Sequence, residues 1–251
     1  MTALPKIIQN FDGAADNYDW QASVQAEIAA NLVGRARSHS LIPHTILDIG
    51  CGTGFVAATA GQQWPHAHIT ALDHAPAMLR QAQCKMPNLE TIVGDASSIT
   101  FEKRFDIVFS SMMLHWLPRP EQALRLWQSW LQPRGRMYVS VLTEGSFEEW
   151  RELCARMGVQ NGLWPMPQTH FIDALDVNIE RQIMPITHAS AHAFLQRLKS
   201  IGAATPHPNH RPLGTASMRR LLREAPTPFT ATYQILYIES SSSADVCLAS
   251  I

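Results

Sequence analysis

The run Asp48–Ile–Gly50–Cys–Gly52–Thr–Gly54 constrains this chain more than any other feature. It follows the short apolar run Thr45–Gly50 and precedes the Ala-rich, helix-prone stretch Phe55–Gln63, so it reads as a turn from a buried strand into a helix. Glycines there let the backbone turn sharply and let a ligand approach the main chain without meeting a Cβ. A dinucleotide cradle places its third glycine three positions after the second, where this chain has Phe55; Gly54 falls one place early. The pattern is GxGxG rather than GxGxxG, which disfavours a pyrophosphate cradle.

Strand and helix patterns alternate from there. His68–Asp73, Leu89–Asp95, Arg104–Ser110 and Arg136–Leu142 read as strands. Between them, a helical pattern runs through Ala77, Met78, Leu79 and Ala82, and an amphipathic helix is expected over Pro120–Leu131, ended by Gln132–Pro–Arg–Gly135. This alternation predicts a doubly wound, parallel α/β sheet. Farther on, the sequence predicts a helix over Ser146–Met157 capped by Ser146, and a strand over Ile179–Ile186 that Pro185 confines to an edge. A helix over Ser190–Ile201 stopped by Gly202, a Pro/His-rich loop over Thr205–Gly214, a helix over Ser217–Arg223 and a strand over Phe229–Ile238 complete the pattern.

Acidic residues recur at the carboxyl ends of the first three strands, where open parallel sheets bind ligands. Asp73 closes the second strand, where a carboxylate can accept both ribose hydroxyls of a nucleoside. Asp95 closes the third, where a carboxylate or the next amide, that of Ala96, can hold an adenine. Asp48 can orient the glycine turn or receive an ammonium. One such Asp would suit a helix cap; three of them with the glycine turn point to a site.

The set resembles the class I S-adenosylmethionine-dependent methyltransferases. ILDIGCGTG, carrying Asp48, Gly50, Cys51 and Gly52, is similar to their first motif. ALDHAPAML, with Asp73, His74 and Met78, resembles the ribose-binding second, and VGDASS, with Asp95 and Ala96, the adenine-binding third. FDIVFSSMMLHW, with Ser110, resembles the strand that faces the substrate. The resemblance implies S-adenosylmethionine as cofactor and a seven-stranded, mostly parallel, Rossmann-like sheet with an antiparallel last strand. Met78 would pack on the adenine, or serve as ordinary core.

The acceptor is addressed by the rest of the chain. Ser110–Ser–Met–Met–Leu–His–Trp116 lacks the Asn/Asp-Pro-Pro-aromatic run common in enzymes that methylate ring or amide nitrogens, so nucleic acid is not the expected substrate. His115 is either a general base or a packed residue, and Trp116 a pocket wall. Phe11–Asp–Gly–Ala–Ala–Asp–Asn–Tyr18, followed by Gln25, resembles the leading segment of the small-molecule branch, in which the Tyr closes the site over the methionine end of the cofactor. Leu198–Lys–Ser–Ile–Gly–Ala203, preceded by Ile183–Met–Pro–Ile–Thr187 and followed by Arg211–Pro–Leu213, resembles the malonyl-acyl-carrier-protein O-methyltransferases of biotin synthesis. The match runs to about Glu239, departing in a short segment between Pro167 and Glu180 and in an added tail.

That resemblance implies transfer of a methyl group to the free carboxylate of a malonyl thioester, with Tyr18, Lys199 and Arg211 as catalytic-site residues and no metal. Another small acid, a quinone or phenol acceptor, or a partner protein that holds the cofactor without turnover are the alternatives. The expected organisation is one domain over residues 1–239, with a helical cap inserted at about 144–228 and a flexible tail over 240–251.

Charge and composition set the surroundings. Arg181–Arg223 holds seven basic residues, four His and no acid, whereas the first hundred residues hold five basic and eight acidic. Such a one-signed stretch is a solvated face or a docking surface for an acidic partner. Arg219, Arg220 and Arg223 on one short helix are the residues expected to meet an acyl carrier protein. No apolar run approaches the roughly 20 residues of a membrane span, and no secretory signal is seen at the amino terminus. The four scattered cysteines form no CxxC pair, so a reduced, cytoplasmic setting is expected; the expected state is a monomer.

Overall fold

Short apolar runs punctuated by helices build one sheet with helices on both faces. A computed structural model of the chain describes residues 4–39 and 41–242. Three amino-terminal helices, α1 (Leu4–Ala14), α2 (Tyr18–Gln21) and α3 (Ser23–Arg37), precede β1 (Thr45–Ile49) and α4 (Phe55–Gln63). Then come β2 (His68–Asp73), α5 (Pro76–Lys85), β3 (Glu90–Val93), β4 (Phe105–Ser111), α6 (Pro120–Gln128) and β5 (Leu131–Leu142). The later half holds α7 (Glu148–Arg156), β6 (Asn178–His188), α8 (Ala191–Ser200), α9 (Thr215–Glu224) and β7 (Phe229–Ser241).

The seven strands lie in the order β3-β2-β1-β4-β5-β7-β6, with β1 to β5 parallel and β7 antiparallel to both its neighbours. Successive side chains of β1 enter opposite faces: Ile46 joins the core under α3 and α4, Leu47 and Ile49 the core under α6. Covering both faces explains why β1 and β4 read as nearly unbroken apolar runs. The order reverses at β1 and β4, and the crevice beyond their carboxyl ends is the switch point at which such sheets bind ligands.

Several expected boundaries move. The run Gln132–Gly135 does not end a helix; α6 stops at Gln128 and the run lies inside β5. Its extra residues are absorbed in a register break, Phe105 pairing with Leu131 and Ile107 with Arg136, with Arg134 at φ +66°. Ser146 does not cap α7: its hydroxyl donates to the Thr143 carbonyl at 2.8 Å and accepts the Gln234 amide at 3.0 Å, fixing the turn to β7 instead. Ser190 does cap α8, accepting the Ala193 amide at 3.2 Å. The expected cap over 144–228 is divided by β6 into two segments, α7 with its following loop and α8 with α9. The tail does not begin at Ser240, because β7 continues through Ser241, pairing Ser240 with Met137 and Ser241 with Arg136. The rest of the expected tail, 243–251, lies outside the described residues. Pro185 sits on β6, which is an edge strand as its missing N–H requires.

Candidate active site

The glycine turn is shaped by its neighbours. Gly54 has φ +84°, and a Cβ there would lie 2.9 Å from the Cβ of Ala82 on α5. Gly54 thus supplies the close helix contact that Phe55 cannot. A Cβ on Gly52 would meet nothing within 4 Å, so this residue leaves the main chain open to the crevice.

Asp73 ties this turn down. Its Oδ2 accepts the Gly52 amide and its Oδ1 the Ala75 amide, both at 2.8 Å. Burial pushes its pKa up against those hydrogen bonds. Asp48 is buried; its Oδ2 accepts the Ala57 amide at 3.1 Å, while Oδ1 has no partner among the described residues. Burial lifts its pKa to about 7, the Ala57 amide opposing and the nearby Asp73 adding. Asp95 lies two residues beyond β3 rather than closing it. Its slight burial raises the pKa, but the Ser97 hydroxyl and amide, at 2.7 and 2.8 Å, outweigh this and lower it overall. The next residue, Ala96, is fixed through its carbonyl by the indole N–H of the fully buried Trp127 at 2.8 Å. The Cys51 thiol, pushed up by burial and by Asp73 and Asp48, stays protonated and donates to the Gly52 carbonyl at 3.3 Å.

These residues line one cavity: Asp48, Gly50, Cys51, Gly52, Asp73, His74, Met78, Asp95 and Ala96 all reach it, as does Tyr18. Ser110 does not. It is fully buried within β4, and the adjacent Ser111 reaches the wall in its place, held by the Ser140 hydroxyl at 3.1 Å. Side chains alternate along a strand, so a motif matched one residue early selects the wrong face. The wall then passes to Met112, whose φ of +56° is uncommon for a side chain of that size and marks a strained turn out of the sheet.

Helix α1 roofs the cavity with Ile7, Ile8 and Phe11. It is latched twice through its later half: Asp12 accepts the Ala77 amide at the start of α5 (2.8 Å), and Asn10 donates to the Thr205 hydroxyl (2.7 Å). Gly202, at φ +77°, stops α8 as expected, and a Cβ there would come within 2.9 Å of the Asn10 carbonyl. Asp19 closes the same edge through Lys85 and Thr53, each at 2.6 Å. No local pattern announces Asn10 or Asp12, because their partners lie far along the chain.

A second cavity, of about 320 Å³, adjoins the first on the side of the later helices. Phe11, Tyr18, Gln25, Met112 and Trp116 line both and so form the partition. Burial and then the carboxylates of Asp73 and Asp19 raise the Tyr18 pKa, leaving the phenol neutral. Lys199 lines the second cavity, with no carboxylate within ion-pair distance among the described residues. Arg211 does not line it: the residue is exposed, and its amide donates to Gln160 at 2.8 Å. Its loop neighbours His210 and Leu213 line the cavity, while Arg211 itself is exposed. His115 lines this cavity with an unpartnered Nδ1, and burial drops its pKa to about 3. On α9, Met218 faces the cavity while Arg219, Arg220 and Arg223 are exposed.

The unpartnered buried oxygen of Asp48 and the open main chain at Gly52 fit a nucleoside that also carries an ammonium. Comparison with known proteins agrees. A model described as a methyltransferase domain matches residues 46–135. The fold is shared with BH2331 of Bacillus halodurans C-125, at a TM-score of 0.60 and 14% identity over 84% of this chain and 98% of that one. The BioCD bifunctional biotin-biosynthesis protein of Bordetella avium is 31% identical over 92% of this chain, which spans about half (51%) of that longer protein. A malonyl-[acyl-carrier protein] O-methyltransferase of Magnetococcus marinus is 32% identical over 245 residues, 92% of this chain and 90% of the relative. The chain belongs to the malonyl-acyl-carrier-protein O-methyltransferase family of S-adenosylmethionine-dependent enzymes.

Proposed function

We propose that the protein methylates the free carboxylate of a malonyl thioester, carried by an acyl carrier protein or by coenzyme A, giving the ester that primes pimeloyl synthesis for biotin. The reading rests on one observation: two cavities meet at a shared wall, with acidic, nucleoside-suited residues behind it and a cation, Lys199, in front.

Asp73 would take the ribose hydroxyls on the lone pairs that Gly52 and Ala75 leave open. Asp95 and Ala96 would hold the adenine, with Met78 packed on the ring. Asp48 would face the ammonium. S-adenosylmethionine supplies, when bound, an electrophilic methyl group on a sulfonium that departs as a neutral thioether. A carboxylate is ionised at neutral pH, so it attacks without a base, and no proton moves. The protein must align oxygen and methyl carbon at roughly 3–3.5 Å and keep water out. Tyr18 and the roof formed by α1 serve both tasks. A phenol would instead need its proton removed, and His115, with a pKa of about 3, is a poor base at pH 7.

The three exposed arginines of α9 and Met218 on its inner face put a basic surface beside the acceptor cavity, where it would meet an acidic carrier. No described helix is long and apolar enough to cross a membrane, and Cys51, Cys84 and Cys154 are free thiols. Both suit an enzyme of the cytoplasm. The test is methyl transfer to malonyl carrier protein, malonyl coenzyme A, free dicarboxylic acids and phenols in parallel. Gain of one methylene mass on the malonyl carboxyl supports the reading; transfer to a phenol alone refutes it.

A further inference from the structure

Several polar side chains on the acceptor cavity wall already have partners. Gln160 accepts the Arg211 amide at 2.8 Å and Asn161 the Leu163 amide at 2.9 Å. Thr205 takes the Asn10 amide group on its hydroxyl and the Trp164 indole on its carbonyl. These bonds hold the wall together. Three groups differ: Gln25 Oε1, His115 Nδ1 and His210 Nδ1 are buried without a hydrogen-bond partner among the described residues. Buried polar atoms are nearly always paired, so such an exception on a cavity wall needs a partner from outside the chain, a water or a ligand.

Position separates the three. His210 packs on the outer loop, its ring 3.2 Å from where a Cβ of Gly162 would stand. Gln25 is part of the partition itself, and His115 is the neighbour of the partition residue Trp116, ring centroids 5.3 Å apart. Methyl transfer can happen only at the partition, and of the three groups Gln25 lies on it and His115 is next in sequence to its Trp116.

We propose that Gln25 and His115 form the seat of the acceptor carboxylate, and that Lys199 acts outside it as the charge that draws the substrate in. The proposal rests on the malonyl reading above and assigns the groups that recognise its carboxylate. An imidazole offers an N–H, and a carboxamide offers one from the position of its oxygen after a half-turn of the terminal torsion. Neutral donors suit this step. The reaction joins an anion to a cation and yields two neutral products, so charge fades on the oxygen as the C–O bond forms and the C–S pair returns to sulfur. A cation bonded to that oxygen would stabilise the starting state more than the transition state and slow the step. A neutral N–H orients the carboxylate with a smaller loss.

The test compares malonyl and acetyl pantetheine thioesters. Their binding to the protein loaded with S-adenosylhomocysteine is measured by calorimetry, beside steady-state methylation of the malonyl thioester. His115→Ala and Gln25→Ala should each reduce the preference for malonyl over acetyl about tenfold, the worth of one hydrogen bond to a charged group. In His115→Ala, whose side chain does not line the cofactor cavity, affinity for S-adenosylhomocysteine should stay within about twofold, and His115→Asn, which restores an N–H near Nδ1, should recover most of the preference. Lys199→Ala should lower kcat/KM by an amount that shrinks as salt is added. Wild-type turnover with unchanged preference in both alanine variants, or no recovery with asparagine in a variant that folds and binds S-adenosylhomocysteine, overturns the seat. Failure of the wild type to methylate any malonyl thioester overturns the malonyl reading instead, and the carboxylate seat with it.

Discussion

The Gly52 amide donates to Oδ2 of Asp73 across 2.8 Å, joining the turn after β1 to the end of β2. The other oxygen of the same carboxylate holds the Ala75 amide before α5. One side chain therefore shapes the two loops between which a nucleoside would lie, and it does so before any ligand arrives.

Asp73→Ala removes both acceptors from amides in the crevice. Each charge-assisted hydrogen bond is worth about 1.5–3 kcal/mol. The dissociation constant for S-adenosylhomocysteine should rise by about 100-fold or more in a calorimetric titration, with a lower melting temperature in the ligand-free protein. An unchanged affinity would remove the nucleoside from this crevice.

Asp48 makes the ligand-free protein sensitive to pH. Its pKa in the fold, about 7, lies above the usual carboxylate value, so the folded state favours the protonated acid. That contribution is full below about pH 4 and is lost as pH rises through 7. Asp73 is shifted the same way by burial and adds to the trend. Asp48→Asn should flatten the fall in melting temperature between pH 5 and 8 and leave the variant the more stable protein at about pH 8. Binding of an ammonium-bearing ligand should release a proton from wild type near pH 6–7, read as a buffer-dependent heat, and no such proton from the variant.

The roof over the cofactor cavity depends on Asp12. Its carboxylate caps the start of α5 through the Ala77 amide at 2.8 Å. Asp12→Ala should cost about 1 kcal/mol, typical of a lost helix cap. Cleavage within residues 4–22 by a dilute protease should accelerate, and added S-adenosylhomocysteine should protect less than in wild type.

Charge reversal of Arg219, Arg220 and Arg223 to Glu should raise KM for malonyl carrier protein at least tenfold, an effect that fades with salt. The coenzyme A thioester, which lacks the carrier's acidic surface, should show little change in KM. Equal effects on both substrates would move the docking surface elsewhere.

The sheet and its ligand edge were legible because they depend on local pattern. Apolar runs, the glycine turn and acids at strand ends each act within a few residues, and all the expected cofactor-side residues except Ser110 reach one cavity. Ser110 failed by a single step of strand alternation. What escaped depends on distant partners. Ser146 has the sequence of a helix cap but bonds to Gln234 on β7, 88 residues away, and Ser240 and Ser241 look like the start of a loose tail yet pair with β5 through their main chain. Arg211 has the chemistry to grip a carboxylate, but it is exposed at a point where its loop neighbours His210 and Leu213 line the cavity and it does not. The partition was visible only in parts, since Phe11, Gln25 and Met112 share a wall without sharing a motif.

Strand β7 lies between β5 and β6, and β6 has no other neighbour in the sheet among the described residues. During synthesis β6 emerges some forty residues before the strand it pairs with, and α8 and α9 emerge between them. Closure of the acceptor chamber therefore awaits the chain beyond Phe229, whereas the nucleoside edge, built from β1 to β4, is complete long before. A ribosome-bound intermediate stalled between the two events would be expected to recognise the methyl donor while having nowhere to receive the molecule to be methylated.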